Sequence, residues 1–179
     1  MLSQEHDAMN IRIEYAALIV VVVLVLSFFL VFYVLPNYQE KAYDVDGLKI
    51  YSTGQPKAVM KTILAPENVL IELQLDSTNS SKNTGVQIMS AEIAAALAHQ
   101  GKNVKSYGIV NGKPTIDCVK DTNNCSGAQV RVSIGECNCV RLSNVISIEG
   151  DEKFLKSNAV KMRGIVSLVV QEQRMEEQK

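Results

Sequence analysis

Four cysteines, Cys118, Cys125, Cys137 and Cys139, have the most chemistry within reach in this chain. They fall within 22 consecutive residues, around two turn-rich segments, DTNNCSG and GECNC. Three kinds of chemistry use such a set. The first is disulfide formation. Cys118 and Cys125 flank a turn short enough for a bridge to close. Cys137 and Cys139, one residue apart, either close a small strained ring or pair elsewhere. Bridges require an oxidising compartment. The second is a structural zinc site holding all four thiolates, although C-x6-C…C-x-C is not the paired C-x2-C spacing of zinc knuckles. The third is redox exchange, with the C-x-C unit at a strand end cycling between dithiol and disulfide and Arg141 the basic residue nearest in sequence. The expectation is disulfides, with all four cysteines as candidates and no cofactor; zinc at Cys118, Cys125, Cys137 and Cys139 is the alternative.

No catalytic residues are expected. The two histidines, His6 and His99, lie in the N-terminal tail and near a helix end, and no Ser/His/Asp set, paired carboxylates or H-E-x-x-H can be assembled. Asp76-Ser77-Thr78-Asn79-Ser80 reads D-x-T-x-S and is similar to the D-x-S-x-S metal-adhesion motif of von Willebrand A domains, in which oxygen ligands hold a divalent cation. A polar loop of capping residues accounts for the same five positions. The G-x-x-x-x-G-K-[ST] phosphate loop is absent. Asn79-Ser80-Ser81 and Asn124-Cys125-Ser126 match the glycosylation acceptor triplet, which matters only outside the cytoplasm.

The elements that must position these residues follow from hydrophobic period. Gly47 to Tyr51 alternates as a short strand, and Pro56 opens a helix carrying Val59, Met60, Ile63 and Leu64. Val69 to Leu75 is the clearest strand, with Glu72 and Gln74 on its polar face. Val86 to Gln100 is a helix whose apolar stripe is Val86, Met89, Ile93 and Leu97. Strands are expected at 104–110, 115–119, 128–134 and 145–148, the first two joined by the hairpin signal Asn111-Gly112. A final helix after Gly150-Asp151 buries Leu155, Ala159, Met162, Val166 and Val169. The order β-α-β-α-β-β-β-β-α implies a small α/β (α+β) domain, a mixed sheet with packed helices.

Ala16 to Leu35 is a run of twenty apolar or near-apolar residues, long enough as a helix to cross a bilayer. It is too long for a signal-peptide core, and no small-x-small site follows it. The expected organisation is therefore a tail at 1–15, a transmembrane helix at 16–35, a stalk at 36–46, the α/β domain at 47–171 and a polar, fraying tail at 172–179. Beyond the run the chain holds all but one of the 18 basic and all but three of the 19 acidic residues, a net charge of +1. That balance gives no reason to expect a nucleic-acid partner. Arg12 on one side of the run and Lys41 and Lys49 on the other barely separate the two orientations. The cysteines set the expectation of a domain outside the cytoplasm.

The apolar run, then GLKIYSTGQPKAVMKTIL, NVLIELQL and a late NVISIEGDEKF resemble, in layout, a group of uncharacterised archaeal single-pass membrane proteins with a small α/β domain. VSIGECNC departs from that layout, which has no fixed cysteine pair there. The resemblance implies architecture and no activity. The functional expectation is a membrane-anchored, non-enzymatic interaction or accessory domain of the cell envelope, in contact with the membrane through 16–35 and with other membrane or envelope proteins. The alternative is an anchored thiol-redox or zinc-binding protein using the four cysteines.

Overall fold

A computed structural model describes residues 15, 18–29, 39–78, 83–115 and 127–177. The chain divides into two units, Met1–Gln39 and Glu40–Lys179.

In the first unit, residues 18–29 are helical (α1), with exposed apolar side chains. The expected transmembrane helix at 16–35 is corrected here. Among the described residues, no helix is long and apolar enough to cross a membrane. Residues 16–17 and 30–38 lie outside the described set. The single-pass membrane reading is withdrawn with the helix.

The second unit is a mixed sheet with helices on one side. Its elements are β1 (Lys41–Val45), β2 (Leu48–Ser52), α2 (Pro56–Ile63), β3 (Asn68–Leu75), α3 (Asn83–His99), β4 (Asn103–Val110), β5 (Lys113–Pro114), β6 (Ala128–Ile134), β7 (Cys139–Leu142), β8 (Ile146–Gly150) and α4 (Glu152–Glu177). The eight strands run β1-β2-β7-β8-β6-β3-β4-β5 across the sheet. β8, β6, β3 and β4 form a parallel centre, and the antiparallel pairs β1–β2, β7–β8 and β4–β5 lie toward the flanks.

The strands alternate, which decides where the core sits. Leu48, Ile50, Val69, Ile71, Val130, Val132, Val140, Leu142, Ile146 and Ile148 share one buried cluster. The α3 stripe Val86, Met89, Ile93 and Leu97 closes on it, as does the α4 stripe Leu155, Ala159, Met162, Val166 and Val169. α3 packs against α4, and α2 against α4 and β2, so all three helices cover the same face. Parallel sheets covered on both faces have strands apolar at every position. Here β3, β6 and β8 carry Glu72, Arg131 and Ser147 on the opposite face.

Several elements differ from expectation. Lys41–Val45, read as stalk, is strand β1, paired with β2 through the Asp46-Gly47 turn. Its charges Lys41 and Asp44, three residues apart and so on opposite faces, interrupt the strand signal; on an edge they can stay in water. Cys139–Leu142, where no strand was expected, is β7. The Asn111-Gly112 hairpin forms: φ is 51° at Asn111 and 74° at Gly112, the two left-handed residues such a turn needs. Its second strand is Lys113–Pro114. The strand expected at 115–119 falls largely outside the described residues. The second half is no simple meander, because β6 pairs with β8 in parallel while β7 lies on the far side of β8. α4 extends through most of the expected tail: Glu172 bonds Lys57 at 2.6 Å, Glu176 pairs with Lys61, and Gln173 is buried.

Candidate functional site: the uncovered sheet face

Side chains alternate along a strand, so each apolar position facing the helices has a neighbour facing away. Register then aligns those neighbours from strand to strand. Tyr51 of β2 is opposite Arg141 of β7, which is opposite Ser147 of β8. Ser147 is opposite Arg131 of β6, Arg131 opposite Glu72 of β3, and Glu72 opposite Tyr107 of β4. One row of polar side chains thus crosses six adjacent strands, spanning about 24 Å at the usual strand spacing. The helices α2, α3 and α4 pack on the opposite face.

The row is organised around Glu72. Its Oε1 accepts a bond from Arg131 Nε at 2.6 Å and from Gln74 Nε2 at 3.2 Å, and its Oε2 accepts one from the Tyr107 hydroxyl at 3.1 Å. Glu72 is 7% exposed. Burial pushes its carboxyl up, but the bonds from Arg131, Gln74 and Tyr107 outweigh this and hold it below the usual carboxylate range. Tyr107 moves the other way: burial, then the bond to Glu72, raises its phenol. At the far end, the Arg141 guanidinium lies 5.8 Å from the centre of the Tyr51 ring, within cation–π range. Among the described residues, Arg131 has no acidic partner beyond Glu72, and Arg141 has none. Ser147 is the register partner of both arginines. Two guanidiniums on either side of a hydroxyl match the donor geometry that carboxylates and phosphates accept.

Cys137 and Cys139 lie at one end of the sheet. They are bridged to each other, with Cα atoms 5.2 Å apart, so the small ring is the pairing that forms. Cys118 and Cys125 lie outside the described residues. A four-thiolate zinc site would need Cys137 and Cys139 reduced, and among the described residues no group of three or more His, Cys, Asp or Glu is placed to hold a metal.

The D-x-T-x-S segment closes on itself. Asp76 Oδ1 accepts both the amide (2.8 Å) and the hydroxyl (2.6 Å) of Thr78, and Asn83 exchanges two bonds with the Asp76 backbone. Ser77 donates to Asn111 Oδ1 at 2.8 Å. Ser80 and both glycosylation triplets fall at least partly outside the described residues. His99 is exposed at the end of α3.

Sequence reasoning placed Glu72 and Gln74 on a polar face and named Arg141 only as a basic neighbour of the cysteines, but did not single out Tyr51, Tyr107, Arg131 or Ser147. The available signal was a long polar or aromatic residue at the outward position of each strand. What joins them is register, which no single strand carries. No protein-family model matches this chain, and no curated protein and no solved structure matches it.

Proposed function

We propose that residues 40–179 form an interaction module whose sheet face opposite α2, α3 and α4 receives an acidic segment of a partner protein. The observation that carries this reading is the row Tyr51–Arg141–Ser147–Arg131–Glu72–Tyr107. Glu72 orients Arg131 and neutralises part of its charge. Arg141 is oriented by a ring and not by an acid, so its positive charge is available to a ligand. Ser147 adds a hydroxyl between them. The flanking tyrosines offer contact area with a polar tip, the composition favoured at protein–protein contacts. The Cys137–Cys139 bridge supports work in a compartment where thiols are oxidised.

The test is a titration of the isotopically labelled chain with an acidic peptide, a basic peptide of equal length, inorganic phosphate and a single-stranded oligonucleotide, followed by amide chemical shifts. The acidic peptide is expected to perturb β6, β7 and β8 and to bind about tenfold more weakly to the Arg141→Ala variant, the loss of one charge-assisted contact. Perturbations confined to other elements, equal binding of the basic peptide, or tighter binding of phosphate alone or of the oligonucleotide would each sink the reading.

A further inference from the structure

The Cys137–Cys139 bridge is poorly placed to serve as a brace. A disulfide stabilises chiefly by closing a loop of the unfolded chain, and the benefit shrinks with loop length. Here one residue separates the two cysteines. Hydrogen bonds hold the turn beside the bridge. Gly135 N donates to Gly150 O at 3.1 Å, and Cys137 N to Glu149 Oε1 at 3.4 Å. The intervening Asn138 sits at φ 48°, its Oδ1 accepting from Asp151 N at 2.8 Å and its Nδ2 donating to Asp151 Oδ2 at 3.4 Å. Asp151 precedes α4, so the turn is tied to the start of the longest helix of the domain.

The two sulfurs differ in access. Cys139 opens β7, faces away from the helices and is fully buried; Cys137, in the loop, is half-buried. In the sheet Cys139 is opposite Glu149, and Lys49 stands one residue before Ile50, the partner of Val140. A bridge that contributes little as a crosslink, in a turn that also has its own hydrogen bonds, with one cysteine half-buried and the other enclosed, is arranged for exchange. We infer that Cys137 and Cys139 form a thiol–disulfide exchange site acting on dithiols. This is an activity distinct from the proposed binding by the sheet face, and it does not depend on that binding.

The step balances without a further reagent. A thiolate of the incoming dithiol attacks Cys137 Sγ, forming a mixed disulfide and breaking the Cys137–Cys139 bond. Cys139 leaves as a thiolate and takes up a proton. The second thiol of the substrate, deprotonated, attacks its own sulfur in the mixed disulfide and expels Cys137. The substrate loses two electrons and two protons and becomes a disulfide, and the cysteine pair gains both. The asymmetry sets the order: Cys137 is the sulfur attacked and Cys139 the leaving group.

The experiment uses the full chain. Wild-type protein is equilibrated in glutathione buffers of graded potential, quenched by alkylation and mapped by mass spectrometry peptide by peptide, so that Cys137 and Cys139 are read apart from Cys118 and Cys125. A reversible two-electron transition of the Cys137/Cys139 peptide is expected, with amide signals of β6, β8 and α4 unmoved. Mixing with dithiothreitol then gives the direction of attack. Cys139→Ser is expected to hold a mixed disulfide with glutathione at Cys137. Cys137→Ser, leaving only the enclosed sulfur, is expected to react about tenfold or more slowly. A pair that stays oxidised across the glutathione range, equal reactivity of the two single variants, or loss of the fold on reduction of wild type would overturn the assignment, the last by making the bridge structural. The wild-type titration decides the matter even if a variant fails to fold.

Discussion

Arg131 and Glu72 face each other across adjacent parallel strands, Nε to Oε1 at 2.6 Å, on the side of the sheet opposite α2, α3 and α4. The acid is 10% exposed at its side chain and the arginine 42%. The pair is therefore anchored at one end and open to solvent at the other. A core ion pair would be closed at both ends, and a surface pair would give up little on removal. This arrangement holds a guanidinium at a fixed place on a face that water, or a partner, can reach.

The pair has a pH signature. Glu72 has a folded value below that of the unfolded chain, so the unfolded state takes up its proton first as pH falls. Its contribution is present above the ordinary carboxylate value of about 4.3 and is lost as pH falls through the lower folded value. Tyr107 is raised, so its contribution is present below the ordinary phenol value of about 10 and is lost as pH rises past it. Denaturant titrations of wild type and Glu72→Gln across pH 2–7 are expected to converge at the acid end. Glu72→Ala at pH 7 is expected to cost about 1–3 kcal/mol, since it strands Arg131 and the Tyr107 hydroxyl. Parallel curves at all pH values would show that Glu72 carries no such linkage.

Asp151 links the cysteine turn to α4. Its Oδ1 accepts the Phe154 amide at 2.6 Å, and that bond leads the interactions that hold its carboxyl below the usual range. Asp151→Ala is expected to speed hydrogen exchange at Phe154 and Leu155 and to free Asn138, while Asp151→Asn keeps most of the cap. Unchanged exchange at Phe154 in the alanine variant would rule this out.

Two glycines bound the tolerance of the fold in opposite directions. Gly127, at φ 150°, enters β6 so close to β3 that an added Cβ would sit 2.4 Å from the backbone oxygen of Asn68. Backbone in a sheet cannot step aside, so Gly127→Ala is expected to lower stability by about 2 kcal/mol or more. Gly164, inside α4, has nothing within 4 Å of an added Cβ. Gly164→Ala is expected to raise stability by about 0.5–1 kcal/mol through helix propensity. Thermal melts of the two variants beside wild type check both, and a stabilising Gly127→Ala would show that β6 enters the sheet elsewhere.

Local pattern carried far in this chain where burial has a single period. The stripes of α3 and α4 were readable because every third or fourth residue faces one core, and all nine residues expected in them are buried. β3 and β6 were readable from alternation. β1 and β7 were not: one is an edge strand with a charge on each face, and the other is four residues starting at a bridged cysteine. For the apolar run at 16–35, composition suggested a membrane span, whereas among the described residues no helix is long and apolar enough to cross a membrane.

The sequence by itself determined an α/β domain with an alternating, one-sided sheet, two long amphipathic helices, and a cysteine pair at a turn. Tertiary structure alone decided which strands are neighbours, and therefore that Tyr51, Arg141, Ser147, Arg131, Glu72 and Tyr107 form one row. Periodicity records which face of its own element a residue occupies. The residue across the sheet is chosen by packing between segments up to about ninety positions apart, and no local pattern encodes that choice.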